Sequence, residues 1–198
     1  MNSIRAFLVS SATVLVAIPL FAQQATPGGP EAPTASVAVL TAALYNDQAN
    51  LREPSDSARA DLATRILRDR LQTGLAGQLV SFPLLDSLEE APASRELTGG
   101  VPCNVKVACA RRLAVMTGAR WVVLTKVSKT SNLIWLLSAQ LIRASTGEIV
   151  LDDSTELKGD PDVMVAIGAR SFADRVIRTV RNGGYVTNFP GGEPGPRD

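Results

Sequence analysis

The sequence predicts one α/β domain: a mixed sheet with helices packed on it, in the order β-α-β-α-β-β-β-α. Three observations carry that reading. Segments with apolar residues at helical spacing alternate with short β-branched runs, as in strand–helix–strand crossovers. Three apolar runs then follow one another with only turn signals between them, as in a β-meander. A last helix opens at Asp160-Pro161-Asp162, where a capping acid, a proline in the first turn and a second acid coincide.

The 198 residues accommodate such a domain behind a removable leader. Arg5 gives a positive start, residues 6–20 carry no charge, and Ala22 is a small residue before the polar Gln23-Gln24. This reads as a secretory signal over 1–22. Its apolar run is shorter than the ~20 residues of a spanning helix. No Cys lies near the cut, so a lipid anchor is not indicated. Residues 23–35, rich in Pro, Gly, Gln and Ala, read as a flexible linker. The domain is placed at 36–186, ahead of a tail at 187–198 with the composition of disorder.

Within the domain, 37–40 reads as a buried strand and 46–57 as a polar loop around Pro54. Ser55 or Ser57 caps a helix that runs to about Leu75, with Leu62, Ile66, Leu67, Leu71 and Leu75 on one face. A second short strand is expected at 79–82, a helical turn at 86–90 and a loop at 91–102. A second helix at 104–117 closes on Gly118. The meander follows at 121–125, 133–142 and 149–151. Its middle run is apolar on both faces, which suits a central strand covered on each side or one face at an oligomer interface. The last helix is expected to bury Met164, Ile167, Phe172, Val176 and Val180, and to stop at Asn182-Gly183-Gly184. Helical crossovers make the early strands parallel, and the hairpins make the last ones antiparallel.

Composition narrows the chemistry. The chain has no His, which rules out Ser-His-Asp and Cys-His catalysis and removes the commonest transition-metal ligand. Lys plus Arg number 20 against 19 Asp plus Glu; without Arg5 the balance is 19 to 19, a net charge of zero. That argues against bulk nucleic-acid binding and against a polybasic membrane patch. The two cysteines, Cys103 and Cys109, read as a structural disulfide in an oxidising compartment. Their short loop gives it a modest entropic effect. Ser128-Lys129 reads as a solvated hairpin. The acids Glu89-Glu90, Asp152-Asp153, Glu156, Asp160 and Asp162 read as surface and capping groups, not paired catalytic carboxylates. No phosphate-binding glycine motif is present. Trp121 and Trp135 read as core. Lys126, Lys129, Asn132 and Arg143 are the candidate partner-facing residues, with protective charge on edge strands as the alternative.

The run Cys109-Ala110-Arg111-Arg112-Leu113, then Gly118-Ala119, Trp121-Val122-Val123, Lys126-Val127-Ser128, Ser131-Asn132-Leu133-Ile134 and Thr146-Gly147-Glu148-Ile149-Val150 resembles a bacterial family of small exported proteins. That family is a domain of unknown function, marked by a Cys pair, a strand starting near "KVSNLI" and a "TG" hairpin. The likeness spans roughly 37–185 and is strongest over 103–159. More distantly, the chain is similar to the N-terminal α/β domain of the Tol translocation protein and to the curli-secretion lipoprotein class. The resemblance implies a mixed α/β fold, a periplasmic address, and no catalytic residue or cofactor to carry over.

These readings lead to a non-enzymatic periplasmic accessory protein that docks on an unknown envelope protein through a sheet edge or a face of the meander. Homo-oligomerisation stays open. A small-molecule module with a pocket between the sheet and the last helix is the alternative. An enzyme using carboxylates alone ranks third.

Overall fold

The computed structural model describes residues 37–46, 53–98, 101–131 and 134–185. The expected leader, linker and tail lie outside the described residues. Two short strands, β1 (Val37–Val39) and β2 (Ala43–Asn46), lead into helix α1 (Pro54–Gly74). Three helices follow: α2 (Phe82–Glu90), α3 (Pro92–Thr98) and α4 (Val107–Met116). The meander is β3 (Trp121–Lys129), β4 (Trp135–Arg143) and β5 (Ile149–Leu157), and α5 (Pro161–Arg181) closes the domain.

The sheet is five-stranded in the order β1-β3-β4-β5, with β2 also paired to β3. Both β1 and β2 run parallel to β3, while β3–β4 and β4–β5 are antiparallel. This is the mixed sheet expected from the sequence, with three differences of content, the first being that β2 is not among the expected strands. The strand expected at 79–82 reduces to a single bridge between Leu79 and Val37. Proline in the first turn of α2 favours helix instead, and α2 starts at Phe82. The segment expected as loop at 91–102 contains α3.

One face of the sheet is fully covered. Helices α1 and α5 lie side by side across it and run in the same direction, since Arg59 meets Asp162, Arg70 meets Asp174 and Arg181 reaches the Gly74 carbonyl. Odd-numbered positions of β3 and β4, from Trp121 and Val123 to Leu137 and Leu141, pack here with Leu67, Leu71, Phe172 and Val176. The approach is close: a Cβ on Gly168 would lie 2.6 Å from Leu137 Cδ2. The space between the sheet and the last helix, expected to hold the alternative ligand pocket, is therefore filled core. Within α5 the buried line is Val165, Ala169, Phe172, Val176 and Val180, and Ile167 is exposed. Ile167 lies two residues from Val165 and Ala169, too far around a helix of 3.6 residues per turn to share their face.

The other face is half covered. Helices α2, α3 and α4 pack over β1 and the first half of β3, around Ala38, Leu40, Val122, Leu124 and Ile142. Cys103 and Cys109 are bonded in this smaller core, with Cα atoms 5.1 Å apart. The bond ties the turn before α4 to its first turn. No helix among the described residues is long and apolar enough to cross a membrane.

Candidate docking face

Because the second helical layer stops over β3, the neighbouring strands expose alternate side chains beyond it. Lys126 of β3 and Leu136, Ser138 and Gln140 of β4 are half-buried there, while Asp152, Ser154 and Glu156 of β5 are exposed. These positions are direct neighbours: Lys126 sits opposite Ser138, Gln140 opposite Asp152, and Ser138 opposite Ser154. Gln140 Nε2 donates to Asp152 Oδ1 at 3.2 Å. Lys126 Nζ stands 5.2 Å from the Tyr45 ring centroid, a cation–π distance. Where this face meets the start of α4, a shallow groove of about 140 Å³ runs between Val105, Val107, Leu124, Lys126 and Gln140.

The two flanks of the sheet differ. Beside β1 the chain closes the edge, since Val37 N–H donates to the Gln78 carbonyl and Val80 N–H to the Val37 carbonyl, both at 3.0 Å. On the far flank, β5 pairs only with β4. Among the described residues no further backbone partner engages its nine positions. An unpaired strand offers a row of N–H and C=O groups to any extended segment.

The candidate partner-facing residues do not share this face. Lys126 is on it. Arg143 is on the opposite face at the far end of the sheet, 4.5 Å over the Trp121 ring and 2.8 Å from Glu148. Asn132 lies outside the described residues. Lys129 requires a correction: β3 is interior to the sheet, so its last lysine points under α1 instead of lining an edge. It is buried, with Nζ 3.2 Å from both Asp56 oxygens. The Trp135 ring is beside both that lysine and Arg59, its centroid 5.3 and 4.5 Å from them. Among the other acids, Asp160 caps α5 by accepting from the Asp162 and Val163 amides. Asp162 pairs with Arg59, and Asp153 with Arg175.

Sequence reading missed a second polar site. Thr41 donates to Glu89 through its backbone N–H at 3.1 Å and its hydroxyl at 2.6 Å, and Asn104 Nδ2 donates to the Thr41 hydroxyl at 2.9 Å. These groups line a cleft of about 400 Å³ with Asp86, Glu90 and Cys103. Asn104 Oδ1 is buried there without a hydrogen-bond partner. No spacing in the sequence announces the site, because its residues come from the end of a strand, a helix and a turn 63 positions apart. Burial pushes the Glu89 carboxyl above its ordinary range, and the Thr41 hydrogen bonds oppose that only in part.

The raised value sets the sign of a pH effect. Folded Glu89 holds its proton more tightly than the unfolded chain does. Its contribution is therefore present below the ordinary glutamate pKa of about 4.3 and is lost as pH rises through the raised value. Glu89→Gln removes this titration. Urea unfolding as a function of pH should show a flatter slope for the variant across that window. An unchanged slope would mean that the carboxyl is not desolvated.

The family described as "Protein of unknown function (DUF2380)" matches residues 35–176. No curated protein matches the chain. Among solved structures, the chain is similar to the LpoB C-terminal domain from Salmonella enterica, at 21% identity over 64% of this chain and 84% of that one, with a TM-score of 0.41. It is similar to a PelC dodecamer from Paraburkholderia phytofirmans, at 18% identity over 77% and 93%, with a TM-score of 0.40. It is also similar to TolB from Acinetobacter baumannii, at 13% identity over 78% of this chain and 29% of that one, with a TM-score of 0.42.

Proposed function

The chain belongs to this DUF3280 family of unknown function, and we propose that it is a non-enzymatic accessory protein of the periplasm that acts by holding another envelope protein. One observation carries the proposal: among the described residues the outer edge of the nine-residue β5 has no strand beside it, and it continues into a half-open sheet face. A partner adding an extended segment to β5 gains main-chain hydrogen bonds from the edge, and Leu136, Ser138, Gln140, Asp152 and Ser154 read its side chains. The export reading of residues 1–22 supports the address. The absence of His removes the usual nucleophile and base pairings.

The test is photo-cross-linking in intact cells from a probe at Ser154, with a probe at exposed Arg65 on α1 as the control. One envelope protein captured from Ser154 and not captured from Arg65 is the expected result. Equal capture from both positions sinks the proposal. A second reading, small-ligand binding, is favoured by the cleft between Thr41, Glu89 and Asn104. It predicts a rise in thermal midpoint with a cationic metabolite that Glu89→Gln abolishes.

A further inference from the structure

A net charge near zero hides a segregation along the chain. Between Glu96 and Glu148 the sequence has no Asp or Glu and seven Lys or Arg. Two of the seven are neutralised, Lys129 by Asp56 and Arg143 by Glu148. Lys126 belongs to the sheet face already described. Arg111 and Arg112 lie within α4, and Arg120 follows its C-terminal end.

Helix α4 turns Cys109, Ala110, Leu113 and Ala114 into the small core. Its outward side carries Val107, Arg112, Val115 and Met116, and the last two are 58% and 62% exposed. Arg111 is held in place, with Nε and Nη2 donating to the carbonyls of Ala144 and Ser145 at 2.9 and 2.8 Å, and no carboxylate among the described residues forms an ion pair with it. Beside this ridge, Leu88, Ala91, Ala93, Cys109 and Leu113 line an apolar cleft of about 130 Å³, with Arg112 and Met116 at its wall.

We infer that the outward side of α4 is a docking surface for an anionic lipid bilayer, with Arg112 and its basic neighbours on the headgroups and Val115, Met116 and the adjoining cleft taking acyl chain. Each feature answers to one part of a lipid. Cations without interspersed acids attract an anionic leaflet, and exposed aliphatic side chains between them gain by entering the acyl boundary. An acidic protein would satisfy the arginines but leaves the apolar ridge and cleft without a role. The surface spans nothing; it lays the domain on the leaflet.

The test uses the full chain and sedimentation with vesicles of phosphatidylglycerol in phosphatidylcholine, against phosphatidylcholine alone. The native chain should favour the anionic vesicles and lose binding as salt is raised. Arg112→Glu combined with Met116→Ser should weaken partition about tenfold, with an unchanged thermal midpoint. Arg65→Glu on α1 should bind as the native chain does. All three chains carry the same apolar N-terminal run, so their differences report on α4 and not on that run. Equal binding to both vesicle types, or a double variant that binds like the native chain, overturns the inference. So does retention of an acidic protein by this surface together with no preference for anionic vesicles. None of these outcomes depends on the β5 edge.

Discussion

Asp56→Ala is expected to lower stability by about 3–5 kcal/mol, a large share of a small domain's total. The reason is geometric. Asp56 is fully buried at the start of α1, and its carboxylate serves three groups at once. It accepts from the Glu53 backbone N–H at 2.9 Å, from Arg59 Nη1 at 3.2 Å and from Lys129 Nζ at 3.2 Å. Removing it strips α1 of half its capping box and leaves a lysine that is 3% exposed facing Glu53, which is 3.6 Å away and 61% exposed. A buried cation that loses its buried carboxylate is destabilising, whereas a buried pair replaced together is often nearly neutral. Asp56→Leu combined with Lys129→Met should therefore recover most of the loss. Urea denaturation of the two single variants and the pair measures this directly. A loss below about 1 kcal/mol for Asp56→Ala would mean that solvent reaches the pair and that it does not hold α1 against β3.

Phe172→Ala is the second large effect, at about 3–5 kcal/mol. Phe172 is 1% exposed and stands at the middle of α5 against the sheet. Elsewhere on α5 the approach is close, with a Cβ on Gly168 falling 2.6 Å from Leu137 Cδ2 and one on Gly74 meeting Ile177. The walls thus have little freedom to collapse into the space the ring vacates, which places the cost toward the upper end of the range. The same variant examines the character of this layer. If the interval between sheet and α5 were a ligand cavity, removing the ring would enlarge an existing space and cost little. Chemical denaturation distinguishes the two, and a loss under about 1.5 kcal/mol would return the pocket to this location.

Much of the fold is legible in local sequence. The start of α5 is written in three consecutive residues, because capping and a fixed proline φ act within one turn. The meander follows from apolar runs separated by turn residues, and parallel pairing of the early strands follows from the helical segments that must cross between them. Periodicity fails where two states share one pattern. Residues 79–82 are apolar enough for a strand, yet the proline that follows Phe82 starts a helix there and leaves one bridging residue beside β1. The segment 43–46 carries no alternation long enough to identify, and becomes β2 only because β3 extends to Lys129 and supplies a partner.

The candidate site was legible in part. In sequence the middle run of the meander reads as apolar on both faces, and a sheet edge or a meander face is the expected docking place; the structure leaves one face half covered, and Lys126 is on it. Lys129 looked equivalent in sequence and is not, because a position three residues along a strand points to the opposite side, here beneath α1. The zero charge balance is a property of the whole chain and says nothing about place. The sequence by itself determined the succession of the meander and the last helix, the cap of α5, the core character of both tryptophans and the exclusion of histidine chemistry, since each depends on residue type or on neighbours within a turn. Only the tertiary structure decided that β5 is the last strand of the sheet among the described residues, that Lys129 is enclosed with Asp56, that Thr41, Glu89 and Asn104 meet, and that α4 shows its basic and apolar side outward. Each of these depends on which distant segments cover a given face, and that is settled by packing across the whole domain.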